Sequence, residues 1–302
     1  MKGTTLYTSP HYDKPMYEFI LWPNCSNNCK FCWQKKIAKF WSTKEQKEEA
    51  LVLVEQTIVN NLNNPGFDIM LVGGEIFDNT DVKDSFLHLA TNVRELLKAD
   101  LIRFVYLNTN LLYKDTSYLF EFLDLFDEDT IQRIKFTTSY DIEGRFNQAS
   151  LETFDRNLHN LVSRYPNLHI MANTILTKQV CEDLSSAAFI KAKLAELGIG
   201  TYYLPYITLT EALRADDDEQ VFDALRKLCS DDEIYRYICS LDLVQQKSIL
   251  QYMPGKGLVE SVEDNGECGH NLNFTKTLKS GECYICALKR YFKDLLEAKS
   301  NE

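Results

Sequence analysis

The stretch MYEFILWPNCSNNCKFCWQ, residues 16–34, decides how this chain is read. Its opening run, MYEFILW (16–22), is apolar and of strand length. Three cysteines follow within eight positions, Cys25, Cys29 and Cys32, with no fourth cysteine or histidine nearby. Three sulfurs from one loop hold a metal centre and leave one coordination position open, whereas a structural site closes its shell. A structural zinc completed by a distant ligand is the plain alternative. The CxxxCxxC spacing between a strand and a helix fits a [4Fe–4S] cluster with one iron free of protein ligands better.

Working outward, short apolar runs alternate with amphipathic helical stretches from Met16 to Thr210. The further runs are FDIMLV (67–72), LIRFVYLN (101–108), IQRIKFTTS (131–139), LHIMANTIL (168–176) and TYYLPYIT (201–208). Between them, Phe86, Leu89, Val93 and Leu96 share one helix face, and Leu151, Phe154, Leu158, Leu161 and Tyr165 share another. Ala187, Ile190, Leu194 and Leu197 repeat the pattern, and Gly198 follows as a C-terminal cap. Six strand–helix alternations with short connections predict a parallel α/β sheet of right-handed βαβ units. Periodicity leaves an open doubly wound sheet and a partial barrel equally open. In both, ligands gather at the C-terminal strand edge. The polar strand ends therefore converge: the cysteine loop, Gly73-Gly74-Glu75, Asn108-Thr109-Asn110, Ser139-Tyr140-Asp141 and Asn173-Thr174.

With aromatic Phe31 ahead of the last cysteine, CxxxCxΦC resembles the cluster loop of the radical S-adenosylmethionine (SAM) superfamily. The resemblance covers roughly residues 16–210 and implies a (β/α)6 partial TIM barrel, with residues 1–210 as the core domain. It implies a [4Fe–4S] cluster on Cys25, Cys29 and Cys32 whose open iron is chelated by the amino and carboxylate groups of SAM. One electron would then release a 5′-deoxyadenosyl radical. LVGGEIF is similar to the family's GGE motif, in which the backbone and Glu75 meet the SAM ammonium; on its own, Gly73-Gly74 is a tight turn. YLNTNLL is similar to the TNG segment, with Asn110 retained and Leu111 in place of the glycine. FTTSYD is similar to the S-x-D ending and brings in Ser139 and Asp141, while ANTILT stands where some members carry a glycine pattern. The cofactor-binding set implied is Phe31, Gly73, Gly74, Glu75, Asn110, Ser139 and Asp141, with no catalytic side chain singled out. A low-potential electron donor of flavodoxin or ferredoxin type is implied as partner.

After Thr210 the style changes, and residues 211–302 read as a second region. Residues 211–250 look helical and acidic, QYMPGKGLVESVEDNGE is a glycine-rich loop, and LNFTKTL and ECYIC flank Lys279-Ser280-Gly281 as a β-hairpin. Cys268, Gly281, Cys283 and Cys286 resemble the opening of a SPASM/twitch extension, short of its later cysteines. A second metal site follows, either an auxiliary [4Fe–4S] cluster on Cys268, Cys283 and Cys286 or a zinc closed by Cys268, His270, Cys283 and Cys286.

Composition bounds the rest. The chain has 302 residues and a formal net charge of −11, which repels phosphate backbones and disfavours general nucleic-acid binding. No apolar run has membrane-spanning length, and MKGTTLYTSPHYDKP lacks a secretory core. Nine cysteines, odd in number and clustered, speak for metal binding in a reducing cytoplasm rather than a disulfide framework. Cys181, Cys229 and Cys239 read as small buried hydrophobes; His88, His159 and His169 as structural or exposed; Trp33 and Trp41 as shields of the loop. The twitch-like ending points to a peptide or protein substrate. A small molecule (sugar, nucleotide or cofactor precursor) and a metal-stabilised binding protein without catalysis are the competing readings.

Overall fold

Short runs rich in β-branched and aromatic residues favour strands, and burial of a strand face under helices fixes them there. In the computed structural model, which describes residues 15–27, 29, 30, 32, 43–63, 65–141, 144–205, 215–242, 247–260 and 282–302, all six runs are strands. They are β1 Met16–Ile20, β2 Phe67–Val72, β3 Ile102–Asn108, β4 Ile134–Ser139, β5 His169–Leu176 and β6 Gly200–Pro205. All pair in parallel, side by side in chain order. The connecting helices are α1 Lys44–Asn60, α2 Lys83–Lys98, α3 Ser117–Leu123, the short α4 Glu128–Ile131, α5 Gln148–Arg164, α6 Lys178–Glu182 and α7 Ser185–Glu196. This is the α/β partial TIM barrel expected, with its strands and helices close to the expected positions.

Local chemistry starts and stops these helices. Thr43 caps α1 in a capping box with Gln46, and Asn147 caps α5 with Ser150, so each satisfies amide donors left bare in a first turn. α7 ends where Gly198 takes φ +72° and Ile199 N–H bonds Leu194 O at 2.9 Å. On the helix side of the sheet, Phe19, Phe67, Ile69, Leu107, Ile134 and Phe136 are fully buried and meet Val54, Phe86, Leu97 and Phe154 in one core. Burial of each such side chain contributes about 1.5–3 kcal/mol. Alternate strand positions face the other way and are often polar. There Asp68 accepts two bonds from Arg103, Nε at 2.8 Å and Nη2 at 2.6 Å.

The C-terminal region departs from expectation in two places. α8 Asp218–Leu228 and α9 Asp231–Asp242 are the acidic helices foreseen within residues 211–250, but Lys247–Met253 is a strand, β7. It pairs in parallel with the open edge of β1, from Met16 opposite Lys247 to Ile20 opposite Gln251. The glycine-rich stretch foreseen as loop then turns back as β8, Gly257–Glu260, antiparallel to β7. Among the described residues the sheet thus has eight strands, in the order β6-β5-β4-β3-β2-β1-β7-β8. Tyr252 anchors the addition: it is buried in the first core and its hydroxyl donates to Glu49 Oε2 at 3.0 Å.

The second correction concerns ECYIC. The foreseen hairpin has no second strand there, because the chain is helical from Tyr284 in α10, Tyr284–Tyr291, followed by α11, Lys293–Ser300. Tyr284, Ile285, Ala287 and Leu288 are all buried, at helical rather than alternating spacing. Three of them join a second core with Val221, Phe222, Leu225 and Ile238 of α8 and α9. The other arm, residues 272–278, lies outside the described residues, as do Cys268, His270, Phe31, Trp33 and Trp41. Among the described residues, no helix is long and apolar enough to cross a membrane.

Candidate functional site

The site forms where β1 and β2 run past their last paired residues. Leu21 N–H bonds Val72 O at 3.0 Å, Gly74 N–H bonds Trp22 O at 2.7 Å, and Glu75 N–H bonds Asn24 O at 2.6 Å. The backbones lie so close that a Cβ on Gly73 would stand 2.6 Å from Trp22 O, and one on Gly74 would stand 1.9 Å from Asn24 O. The paired glycines therefore press against the backbone entering the cysteine loop. Beyond it, Ser26 N–H bonds Asp78 Oδ2 at 2.7 Å, which fixes the loop from the other side.

Glu75 is fully buried. Its Oε1 accepts from the Tyr113 hydroxyl at 2.5 Å and, more weakly, from Phe77 N–H at 3.4 Å. Its Oε2 accepts from Asn110 N–H at 2.5 Å and Thr109 Oγ1 at 3.4 Å. Burial outweighs these donors and raises the carboxyl pKa to about 7. The acid after β2 thus ties down the loop after β3.

In that loop Leu111 stands where the related motif has glycine, and it takes the glycine-like conformation, φ +55°, while fully buried. Asn157 of α5 holds it there: Nδ2 donates to Leu111 O at 2.9 Å and to Tyr113 O at 2.8 Å. Asn157→Ala would leave two buried carbonyls without that donor and is expected to cost about 2–6 kcal/mol, at about 1–3 kcal/mol for each lost partner. Urea unfolding checks it; a loss below about 1 kcal/mol would mean the loop holds its shape unaided.

Around the cysteines, Asn110 Nδ2 donates to Cys25 Sγ at 3.4 Å. Cys29 is buried, with Cys32 and Ile175 packed against it. Lys30 N–H bonds Gly144 O at 2.9 Å, which joins the cysteine loop to the loop after β4. In that second loop Asp141, also buried, receives Arg145 on Oδ2 and Ile175 N–H on Oδ1 at 2.9 Å. Burial pushes the Cys25 thiol up to about 12, with Glu75 and Asp78 adding to it. Burial also raises Cys29, and the Arg145 guanidinium is the chief influence against it. Burial works against the charge of Arg145 in turn, and Asp141 and Cys29 outweigh it.

One strand edge thus brings together Cys25, Cys29, Cys32, Gly73, Gly74, Glu75, Asn110 and Asp141. Ser139 ends β4, half-buried, in register with Asn173. Cys283 caps the start of α10 and Cys286 lies in its first turn, while their foreseen partners Cys268 and His270 fall outside the described residues. Arg145, Tyr113 and Asn157 escaped the sequence reading. Asn157 left a signal, a polar residue between Phe154 and Leu158 on the buried face of α5. Arg145 and Tyr113 left none. Among the described residues, no three His, Cys, Asp or Glu side chains close on a point as the ligands of a single ion do. The donor set still fits an iron–sulfur cluster: three thiols from one loop, one receiving an N–H, with the loop that carries Arg145 bonded to theirs.

Residues 18–151 match the family described as a 4Fe-4S single cluster domain. The fold is similar to that of anSMEcpe with bound AdoMet (SAM) and Cp18Cys peptide, with a TM-score of 0.51 and 15% identity over 75% of this chain and 61% of that one. A histidine-tagged anSMEcpe with bound AdoMet gives a TM-score of 0.52 and 15% identity over 75% and 62%. The chain therefore covers about three fifths of these structures. No curated protein matches it. Fold and site together define a partial parallel barrel with a three-cysteine loop at its C-terminal strand edge. The family match covers residues 18–151 of this chain, and the likeness to the solved structures is one of fold.

Proposed function

We propose that this chain is a radical SAM enzyme that holds a [4Fe–4S] cluster on Cys25, Cys29 and Cys32 and SAM on the neighbouring strand ends, and abstracts hydrogen from a peptide or protein. The carrying observation is the three-thiol loop packed on Gly73-Gly74 at one edge of the sheet, with Asn110 donating to Cys25. When bound, cluster and SAM supply one-electron cleavage of the sulfonium and a 5′-deoxyadenosyl radical. The chain's own residues bind, orient and exclude water. Cys29, packed beside Ile175, keeps its ligand sulfur out of solvent. Glu75, held by four donors, acts as a charge beneath the Gly73-Gly74 turn rather than as a free arm. Its raised pKa means that a nearby ammonium would hold it ionised, so binding of SAM and ionisation of Glu75 favour each other. Ser139 and Asn173 offer polar contacts at the rim for the ribose or carboxylate.

The peptide reading is supported by the likeness to anSMEcpe, one structure of which holds a peptide. A flavodoxin- or ferredoxin-type donor would supply the electron. Cys283 at the start of α10 and Cys286 in its first turn would supply two ligands of a second site, auxiliary cluster or zinc, that Cys268 and His270 would complete.

Anaerobic reconstitution tests the proposal. With dithionite and SAM, 5′-deoxyadenosine is expected; SAM that binds and stays intact would leave a binding protein instead. Metal analysis separates the second-site readings, with about eight irons for two clusters and about four irons plus one zinc for the alternative. Trapping ligands on the protein with uncleaved SAM identifies the substrate, and a small metabolite rather than a peptide would redirect the assignment.

A further inference from the structure

We infer that Asn110 and Arg145 set the reduction potential of the cluster, Asn110 through a hydrogen bond to the Cys25 sulfur and Arg145 through the charge it carries on the loop bonded to the cysteine loop. The inference rests on the cluster reading above and deepens it.

Both ends of the Asn110 side chain are committed. Oδ1 accepts Leu112 N–H at 2.8 Å, which leaves Nδ2 turned to Cys25 Sγ at 3.4 Å. Its backbone N–H is fixed on Glu75 Oε2 at 2.5 Å, so the amide cannot swing away without breaking the loop. An N–H aimed at a thiolate stabilises negative charge on the sulfur.

Arg145 is linked to Cys29 through the residues between them. Asp141 grips the guanidinium and also accepts Ile175 N–H at 2.9 Å, and Ile175 packs on Cys29 and Cys32. The residue after Cys29 is tied to the residue before Arg145 by the bond from Lys30 N–H to Gly144 O, at 2.9 Å. The Arg145 side chain is only 12% exposed, so solvent screens its charge little. Glu75, Asp78 and Asp141 otherwise make this edge negative before three thiolates are counted.

Reduction places one electron from the donor on the cluster and moves no proton. A donated hydrogen bond and a buried cation both favour the more negative, reduced form, and so both raise the potential. Their removal makes the cluster harder to reduce.

The test is a redox titration of the anaerobically reconstituted full chain without SAM, followed by electron paramagnetic resonance, with iron and sulfide measured for every variant. For Arg145→Gln the ratio of reduced to oxidised cluster at a fixed applied potential should fall about tenfold, a shift of about 59 mV for one electron. Arg145→Lys, which keeps the charge, should stay near the parent. Asn110→Ala should lower the ratio less than Arg145→Gln does. Asn110→Asp, isosteric but presenting an oxygen to the sulfur, should lower it more than Asn110→Ala. Variants that load iron fully and titrate with the parent overturn the inference. If the Asn110 variants load no iron, the arginine pair decides, and equal potentials for glutamine and lysine overturn it. If Arg145→Gln loads none, Asn110→Ala decides in the same way. Failure of all four to load also overturns it, since a purely structural role then suffices. A parent chain without iron and sulfide defeats the cluster reading itself, which is a separate outcome.

Discussion

Cys29→Ala is expected to abolish reductive cleavage of SAM and to strip the cluster absorbance of the Cys25–Cys32 loop. On the proposed cluster reading one of three ligands would be lost from a position only 6% exposed, where a substitute donor from solvent is poorly placed. The fold should survive. The contacts that hold the loop are backbone bonds from Gly74, Glu75, Ser26 and Lys30, and none runs through the thiol. Truncating a small side chain beside Ile175 should therefore cost the cluster-free protein only about 1 kcal/mol. Iron content, 5′-deoxyadenosine yield and the thermal midpoint of the apo chain are the three measurements. Turnover that persists in this variant would contradict the ligand assignment.

Gly74→Ala is expected to have the largest effect on stability of any single methyl addition discussed above. The new Cβ would fall 1.9 Å from Asn24 O and 2.6 Å from Pro23 C, and these are backbone atoms that cannot rotate aside. To clear them the cysteine loop must lift off the β2 turn, which breaks the bonds from Gly74 to Trp22 and from Glu75 to Asn24. A loss above about 4 kcal/mol is expected, a large fraction of an ordinary domain's stability. Gly198→Ala makes the comparison informative. That position is open, with nothing within 4 Å, and only its φ of +72° opposes a side chain, so a cost of about 1–2 kcal/mol is expected there. Chemical unfolding of both variants checks the pair, and equal losses would mean that the close approach at Gly74 is tolerated.

The same two glycines show how far the sequence could be read. Their place after the second strand, one strand past the cysteine loop, is visible in the order of residues. What approaches them is not. In the structure they meet Trp22 and Asn24, so they are required whether or not a ligand is bound. Glu75 was legible as an acid at the site, but its four protein donors were not, because they come from residues 2 to 38 positions away. At Leu111 the sequence shows only that leucine stands where the motif has glycine. Asn157, 46 residues further on, holds leucine in the glycine conformation.

The strands and helices of the barrel were determined by the sequence alone, since alternation, helical spacing and capping residues are properties of contiguous segments. So was the cysteine loop's position at a strand end. Tertiary structure alone decided that Lys247–Met253 would leave the acidic helices to pair with β1, a strand more than 200 residues earlier, because only an exposed edge makes that segment a strand. It alone made the chain helical from Tyr284 on, since the second core offered Tyr284 and Leu288 a place to be buried on one face. And it alone tied the loop that carries Arg145 to the loop that carries Cys29, through Lys30 N–H on Gly144 O: charge compensation at a buried site depends on which loops meet there, and no local pattern records that meeting.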